Sequence, residues 1–159
     1  MTSNRGEVYM KFTDLVNETD YHISFEQIVE VRTSEVRLRI IVNKSMETTD
    51  LLIHPHPDSN VKSLQIDFPN YITYSVIYDD YTNWNDAEQF QGEAFRIYSK
   101  SNYFDFIQKE SNLKAIIPVE NFKHYSLSCI EHKVDIISVN DPIITEISLT
   151  NGACRGENS

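Results

Sequence analysis

His54, His56 and Asp58, separated by Pro55 and Pro57, come nearest in this chain to a metal site by type and spacing. Two prolines two residues apart fix φ and remove backbone donors, so the stretch 54–60 is expected to be an extended loop. On an extended backbone alternate side chains point the same way, so two histidines and a carboxylate could converge on one cation. The chemistry would be metal-assisted hydrolysis, with a bound water made nucleophilic near neutral pH. His132, with Cys129 three residues before it, could add ligands, although Cys-x-x-His alone has little specificity. His22 and His124 sit in no local ligand pattern.

The His-x-His-x-Asp spacing, following the short apolar run Leu51 to Ile53, is similar to that of the metallo-β-lactamase-like zinc hydrolases. That family continues with a histidine where this chain has Ser59. A length of 159 residues is short for that fold, and four glycines are too few for its loops. The expectation is a histidine–proline loop with no metal and no cofactor, with a hydrolase built on His54, His56 and Asp58 as the alternative. Nucleophilic systems are no better represented. No Gly-x-Ser-x-Gly elbow occurs. Cys129 lies in an apolar strand pattern and Cys154 in a polar tail, and neither has neighbours that would lower its pKa. Acid pairs such as Asp79-Asp80 are common in so acidic a chain and say little about catalysis. A non-enzyme is expected.

The charge distribution is more informative. The formal net charge is -10, which disfavours direct binding to nucleic acid or an anionic membrane and permits a basic protein partner. From Ser63 to Phe95 there is no Lys, Arg or His, while Asp67, Asp79, Asp80, Asp86, Glu88 and Glu93 fall in that stretch. Tyr78, Tyr81, Trp84 and Phe90 are interleaved with them. Carboxylates beside exposed rings suit a protein-binding surface, the rings supplying buried anchors and the acids steering a cationic partner. Asp79, Asp80, Tyr81, Trp84, Asp86 and Glu88 are the expected contact residues. The competing expectation is a solvated loop whose rings fold back onto the core.

Hydrophobic patterning suggests what would hold that loop. Tyr125, Leu127 and Cys129 alternate with serines, and Val134 to Val139 is nearly continuously apolar, so a hairpin over His124 to Val139 is expected at the centre of a sheet. Val36, Leu38 and Ile40 alternate against Arg37 and Arg39, whose side chains would face solvent. Strands are also expected over Lys62 to Phe68 and Ile72 to Tyr78, paired through a turn at Pro69-Asn70, over Ala94 to Tyr98, and at an edge over Ile143 to Leu149. Residues 7–18 read as an amphipathic helix, with a strand over Val8 to Phe12 the close alternative. Ser24 and Gln27 could form a capping box opening a helix, or the region could be the first arm of a hairpin. Lys44 to Asp50 reads as a polar connection. Ser101 to Glu110, with Tyr103, Phe104, Phe106 and Ile107 at helical spacing, is expected to be a helix capped by Ser99 or Ser101.

The segment Phe95-Arg-Ile-Tyr-Ser-Lys-Ser-Asn-Tyr-Phe-Asp-Phe-Ile107, with Lys123-His-Tyr later, resembles small uncharacterised bacterial proteins, some of them immunity- or antitoxin-like. The resemblance covers about a third of the chain and implies no active site. It implies a stoichiometric inhibitor that occludes a basic, nucleic-acid-directed protein. The expected fold class is α+β: a mostly antiparallel sheet of about five to seven strands, with one or two helices packed on one face. One domain over 1–150 and a flexible tail over 151–159 are expected. Two cysteines give no disulfide framework, and the N-terminal residues show no apolar signal segment. A cytoplasmic monomer or small homo-oligomer is the corresponding expectation, with a structural oligomerisation module, its strand at 143–149 adding to a neighbour's sheet, as a further alternative.

Overall fold

The computed structural model describes residues 8–54, 56, 60–83 and 85–147. Among the described residues ten strands form two antiparallel five-stranded sheets with few helices, an α+β fold. The first sheet runs β1 (Val8–Met10), β10 (Ile143–Ile147), β4 (Lys62–Phe68), β3 (Leu38–Ser45), β2 (His22–Val29). The second runs β5 (Tyr71–Tyr78), β9 (His132–Ser138), β8 (Lys123–Ser128), β7 (Phe95–Lys100), β6 (Gln89–Gln91).

The inward residues of both sheets share one core. Ile23, Leu38, Ile40, Val42, Leu64, Ile66 and Ile144 from the first meet Phe95, Tyr125, Leu127, Val134 and Ile136 from the second. Each is a member of a period-two series, so one face of each strand is removed from water. The helix α1 (Phe12–Asn17) contributes Phe12, Leu15 and Val16. Phe12 sits edge-on to both Phe95 and Tyr125. Tyr21 ties this corner together, its hydroxyl donating to the Leu15 carbonyl (2.7 Å) and accepting from the Phe95 amide (3.3 Å).

The expected hairpin over His124 to Val139 is present as β8 and β9, with β8 the middle strand of its sheet. Three other expectations are corrected. Lys62–Phe68 and Tyr71–Tyr78 are both strands, but they do not pair: β4 lies between β3 and β10, whereas β5 pairs with β9. Pro69-Asn70 is a corner between sheets, pinned where the Asn70 carbonyl accepts from the Val139 amide and the Ser138 hydroxyl. Ile143–Ile147 is an interior strand rather than an edge, since β1 and β4 occupy both its sides. The continuous helix over 7–18 gives way to β1 followed by α1, with Val8 and Tyr9 more than half exposed.

Local signals were overridden elsewhere. Ser24 and Gln27 lie inside β2, where pairing with β3 outweighs the capping pattern. The Lys44–Asp50 stretch splits between the end of β3 and α2 (Thr48–Ile53). Arg39 does not simply face solvent: its guanidinium holds the Asp67 carboxylate at 2.8 and 3.2 Å across the outer face of the first sheet.

Candidate functional site

The outer face of the second sheet carries the densest polar chemistry. On β8 and β9 the residues pointing away from the core include His124, Ser126, Lys133 and Asp135, and on β7 Arg96 and Tyr98. One half of the face is covered by α3 (Asn102–Glu110) and α4 (Leu113–Ile116), which pack Tyr103, Phe104, Ile107 and Leu113 over Ile137 and Phe122. The expected helix is thus α3, and Ser101 is its cap, its Oγ accepting from the Phe104 amide at 3.0 Å.

Under that helix lies a buried relay that the linear sequence did not reveal. Ser101 Oγ is 2.7 Å from His124 Nδ1, and His124 Nε2 is 2.8 Å from Asp135 Oδ1. Asp135 also accepts from Lys133 Nζ at 2.8 Å. The Asp135 carboxylate can only accept, so in the neutral imidazole Nδ1 is the unprotonated nitrogen and accepts from the Ser101 hydroxyl. Nε2 then carries the imidazole proton and donates to Asp135. Burial alone would push the Asp135 carboxyl up, but the His124 hydrogen bond and the Lys133 charge outweigh it and hold the pKa below the ordinary carboxylate range. Tyr98 stacks flat on the imidazole, ring centroids 4.4 Å apart.

A serine, a histidine and an aspartate in hydrogen-bonded series have the composition of a hydrolytic triad. Accessibility argues otherwise: Ser101 is 1% and His124 2% exposed, and the hydroxyl is engaged by a helix amide. No substrate carbonyl can reach that oxygen, so the relay is read as structural, joining α3 to β8 and β9. These residues lie 23 and 11 positions apart, and only the register that sets Tyr98 opposite His124 and Ser126 opposite Asp135 brings them together. Ser126 Oγ, on the same face and fully buried, has no hydrogen-bond partner among the described residues.

The other half of the face lies beneath the acidic loop. A cleft of about 900 Å³ is lined by Ile77, Asp79, Tyr81, Glu88, Arg96, Tyr98, Lys133 and Asp135, among others. The loop leaves β5 through a single 3-10 turn over Asp79–Tyr81, fixed where the Asp79 amide donates to the Glu131 carbonyl. Thr82 closes the turn by donating twice to the Asp79 carbonyl. An Asn85 side chain accepting from the Ala87 amide shapes the far end. Gly92, at φ +102, delivers the chain from β6 into β7.

The expected contact residues divide. Tyr81 is 75% and Tyr78 60% exposed, and Asp79 and Asp80 between them are exposed too. Val76 and Ile77, on opposite faces of β5, are also exposed, at 36% and 39%. Tyr78 packs at a tilt against His132, which is itself tilted against Phe25 of β2. Asp86 is exposed on the loop. Glu88 is instead engaged within the fold, its carboxylate accepting from the Asn102 amide at the start of α3 (2.8 Å). Phe90 folds inward between Tyr98 and the Arg96 guanidinium. Asp67 belongs to the first sheet, paired with Arg39. Trp84 lies outside the described residues.

His54 and His56 of the alternative metal loop follow directly on α2. The run before it is the helix α2, not a strand, and the His54 amide still donates to Asp50 and the His56 amide to Ile53 in helix-like closures. Asp58 lies outside the described residues. Among the described residues no three His, Cys, Asp or Glu side chains are grouped to hold a metal. Cys129 is buried and its thiol is pushed up to about 12, which leaves it unreactive. No described helix is long and apolar enough to cross a membrane. Comparison with protein-family models, curated proteins and solved structures finds no match to this chain.

Proposed function

We propose that the chain is an acidic, non-enzymatic, cytoplasmic inhibitory protein, immunity-, antitoxin- or anti-defence-like. It would occlude a basic protein partner whose own ligand is nucleic acid. One observation carries the reading: Tyr78 and Tyr81 stand 60% and 75% exposed with Asp79 and Asp80 between them, on a turn fixed to the sheet by backbone hydrogen bonds. Large rings held outward are ready to be buried at low entropic expense, and adjacent carboxylates can take the positions that phosphates occupy on a basic surface. A net charge of -10 adds long-range steering, which raises association rates roughly 10- to 10³-fold at low salt.

The test is capture from the native source by the immobilised chain, compared with a variant carrying Asp79→Asn, Asp80→Asn and Tyr81→Ala. The proposal expects a basic protein retained by the first, released by moderate salt, and lost from the second. Equal retention with the same salt dependence would place the interface elsewhere.

A further inference from the structure

The four sheet edges of this fold are not equally guarded. Among the described residues β1 and β6 are three residues each, too short to template another strand. β2 is eight residues long, but it carries Glu26 and is broken by a bulge between Phe25 and Gln27. β5 is also eight residues, reads Tyr-Ile-Thr-Tyr-Ser-Val-Ile-Tyr, and holds no charge and no proline; its bulge lies at its start, between Tyr71 and Thr73. Natural sheets protect long edges with lysines, prolines or central bulges, and β5 has none of these after Thr73.

The hydrogen-bond phase shows which groups are open. The Cys129 amide donates to the His132 carbonyl and the Asp79 amide to the Glu131 carbonyl. β9 therefore turns alternate residues to β8 and to β5, and Ser75 and Ile77 point their backbone groups at β9. Tyr74 and Val76 point theirs away from β9, on the side where no strand pairs with β5, and so does the Tyr78 amide, while the Tyr78 carbonyl opens the 3-10 turn. The open stretch runs straight into the Asp79-Asp80 turn, and no Lys, Arg or His occurs from Ser63 to Phe95.

We infer that the partner docks by strand addition: an extended, basic segment of it pairs with the open edge of β5 through Tyr74, Val76 and Tyr78, its cations meeting Asp79 and Asp80. Main-chain bonds supply affinity, and the exposed Val76, Ile77 and Tyr78 side chains give the added strand apolar neighbours on both faces. The occupant is basic because the segment is bordered by carboxylates on a chain of net charge -10, which also opposes self-pairing. The inference rests on the proposed docking role of the Tyr78–Tyr81 ridge and adds the mode of recognition.

The probe is the peptide Lys-Val-Lys-Val-Lys-Val-Lys, titrated against the full chain by calorimetry, alongside a version N-methylated at alternate residues. N-methylation keeps charge and side chains but removes the edge donors. The expected result is binding of the first and a loss of about tenfold or more for the second. Val76→Pro, which deletes an outward N–H and leaves the β9 ladder intact, and Val76→Lys, which adds the usual edge guard, should each weaken the first peptide comparably. Circular dichroism establishes that both variants fold. Equal binding of both peptides overturns strand addition while leaving the acidic ridge standing. Binding of neither peptide overturns the inference, whatever the ridge variant does in the capture experiment. A dimer that Val76→Pro dissociates overturns it by making a second copy the occupant.

Discussion

The two halves of the outer face of the second sheet are built from the same strands and treated in opposite ways. Under α3, Ser101, His124 and Asp135 are each hydrogen-bonded and at most 7% exposed. Beside the loop, Asp79, Asp80 and Tyr81 are held at fixed positions with their side chains in solvent, while Tyr78 stands exposed at the rim of the inner face, against His132. A sealed polar network contributes stability and leaves nothing for a ligand to satisfy, whereas an ordered, exposed group keeps its interactions for a partner. Substitutions should therefore damage folding in the first half and binding in the second.

The sharpest way to break that division is Asp135→Ala. It strips the partner from Lys133 and from His124 Nε2 at once. Removing one member of a buried charged network costs about 3–5 kcal/mol, read as a lower midpoint in urea. A loss under about 1 kcal/mol would mean the relay is not what holds α3 to the sheet. Gly92→Ala probes the junction of the halves. Its φ of +102 suits glycine, and an added Cβ would overlap the Phe95 carbonyl oxygen. Backbone strain of that kind costs about 1–3 kcal/mol before the overlap is counted, and it should disorder the loop measured by proteolysis at 79–91.

Two buried serines on this face should answer in opposite directions. Ser101→Ala removes a helix cap and orphans His124 Nδ1, a loss of about 1–2 kcal/mol. Ser126→Ala removes a hydroxyl that has no partner among the described residues, so stability should hold or rise by up to about 1 kcal/mol. Thermal unfolding of the pair compares them directly. Acid should act on the sealed half as well. The Asp135 carboxyl is held below its ordinary range, and so, outside that half, is the exposed Asp141, by the Tyr125 hydroxyl and by Lys123. A depressed folded pKa contributes stability above the unfolded value of about 4, and that stability is lost as pH falls through the folded value. Urea midpoints should drop from about pH 4 downward. In Asp135→Asn they should drop less, since that group no longer titrates.

The strands were legible where one face is buried and the alternation is unbroken, as at Leu64-Ile66-Phe68 and Tyr125-Leu127. Which strands pair was not. Pro69-Asn70 has the composition of a hairpin turn, and only the separate hydrogen-bonding of β4 and β5 makes it a corner. α2 escaped notice because it is six residues long and buries only Leu51, too little to generate a period. At the candidate site, sequence found the acids and rings but could not say which were committed to the fold. Glu88 and Asp80 look alike in one dimension, yet one caps α3 and the other is exposed on the turn. His124 had no local pattern because its partners arrive from other elements.

The smallest effect on folding should come from the open half, and that smallness is its diagnostic value. Tyr81 contributes one quarter of its surface to the fold, and the Asp80 carboxylate sits exposed on the same turn. The turn itself is held by backbone bonds from Asp79 and Thr82 rather than by either side chain. Tyr81→Ala with Asp80→Asn should thus shift the unfolding free energy by no more than about 0.5 kcal/mol. If the same pair abolishes retention of a basic partner, binding and folding have been separated on one sheet face. A destabilisation comparable to that of Ser101→Ala would show instead that the ridge is part of the scaffold. Its exposed rings would then have a structural duty, and the division between the two halves would fail.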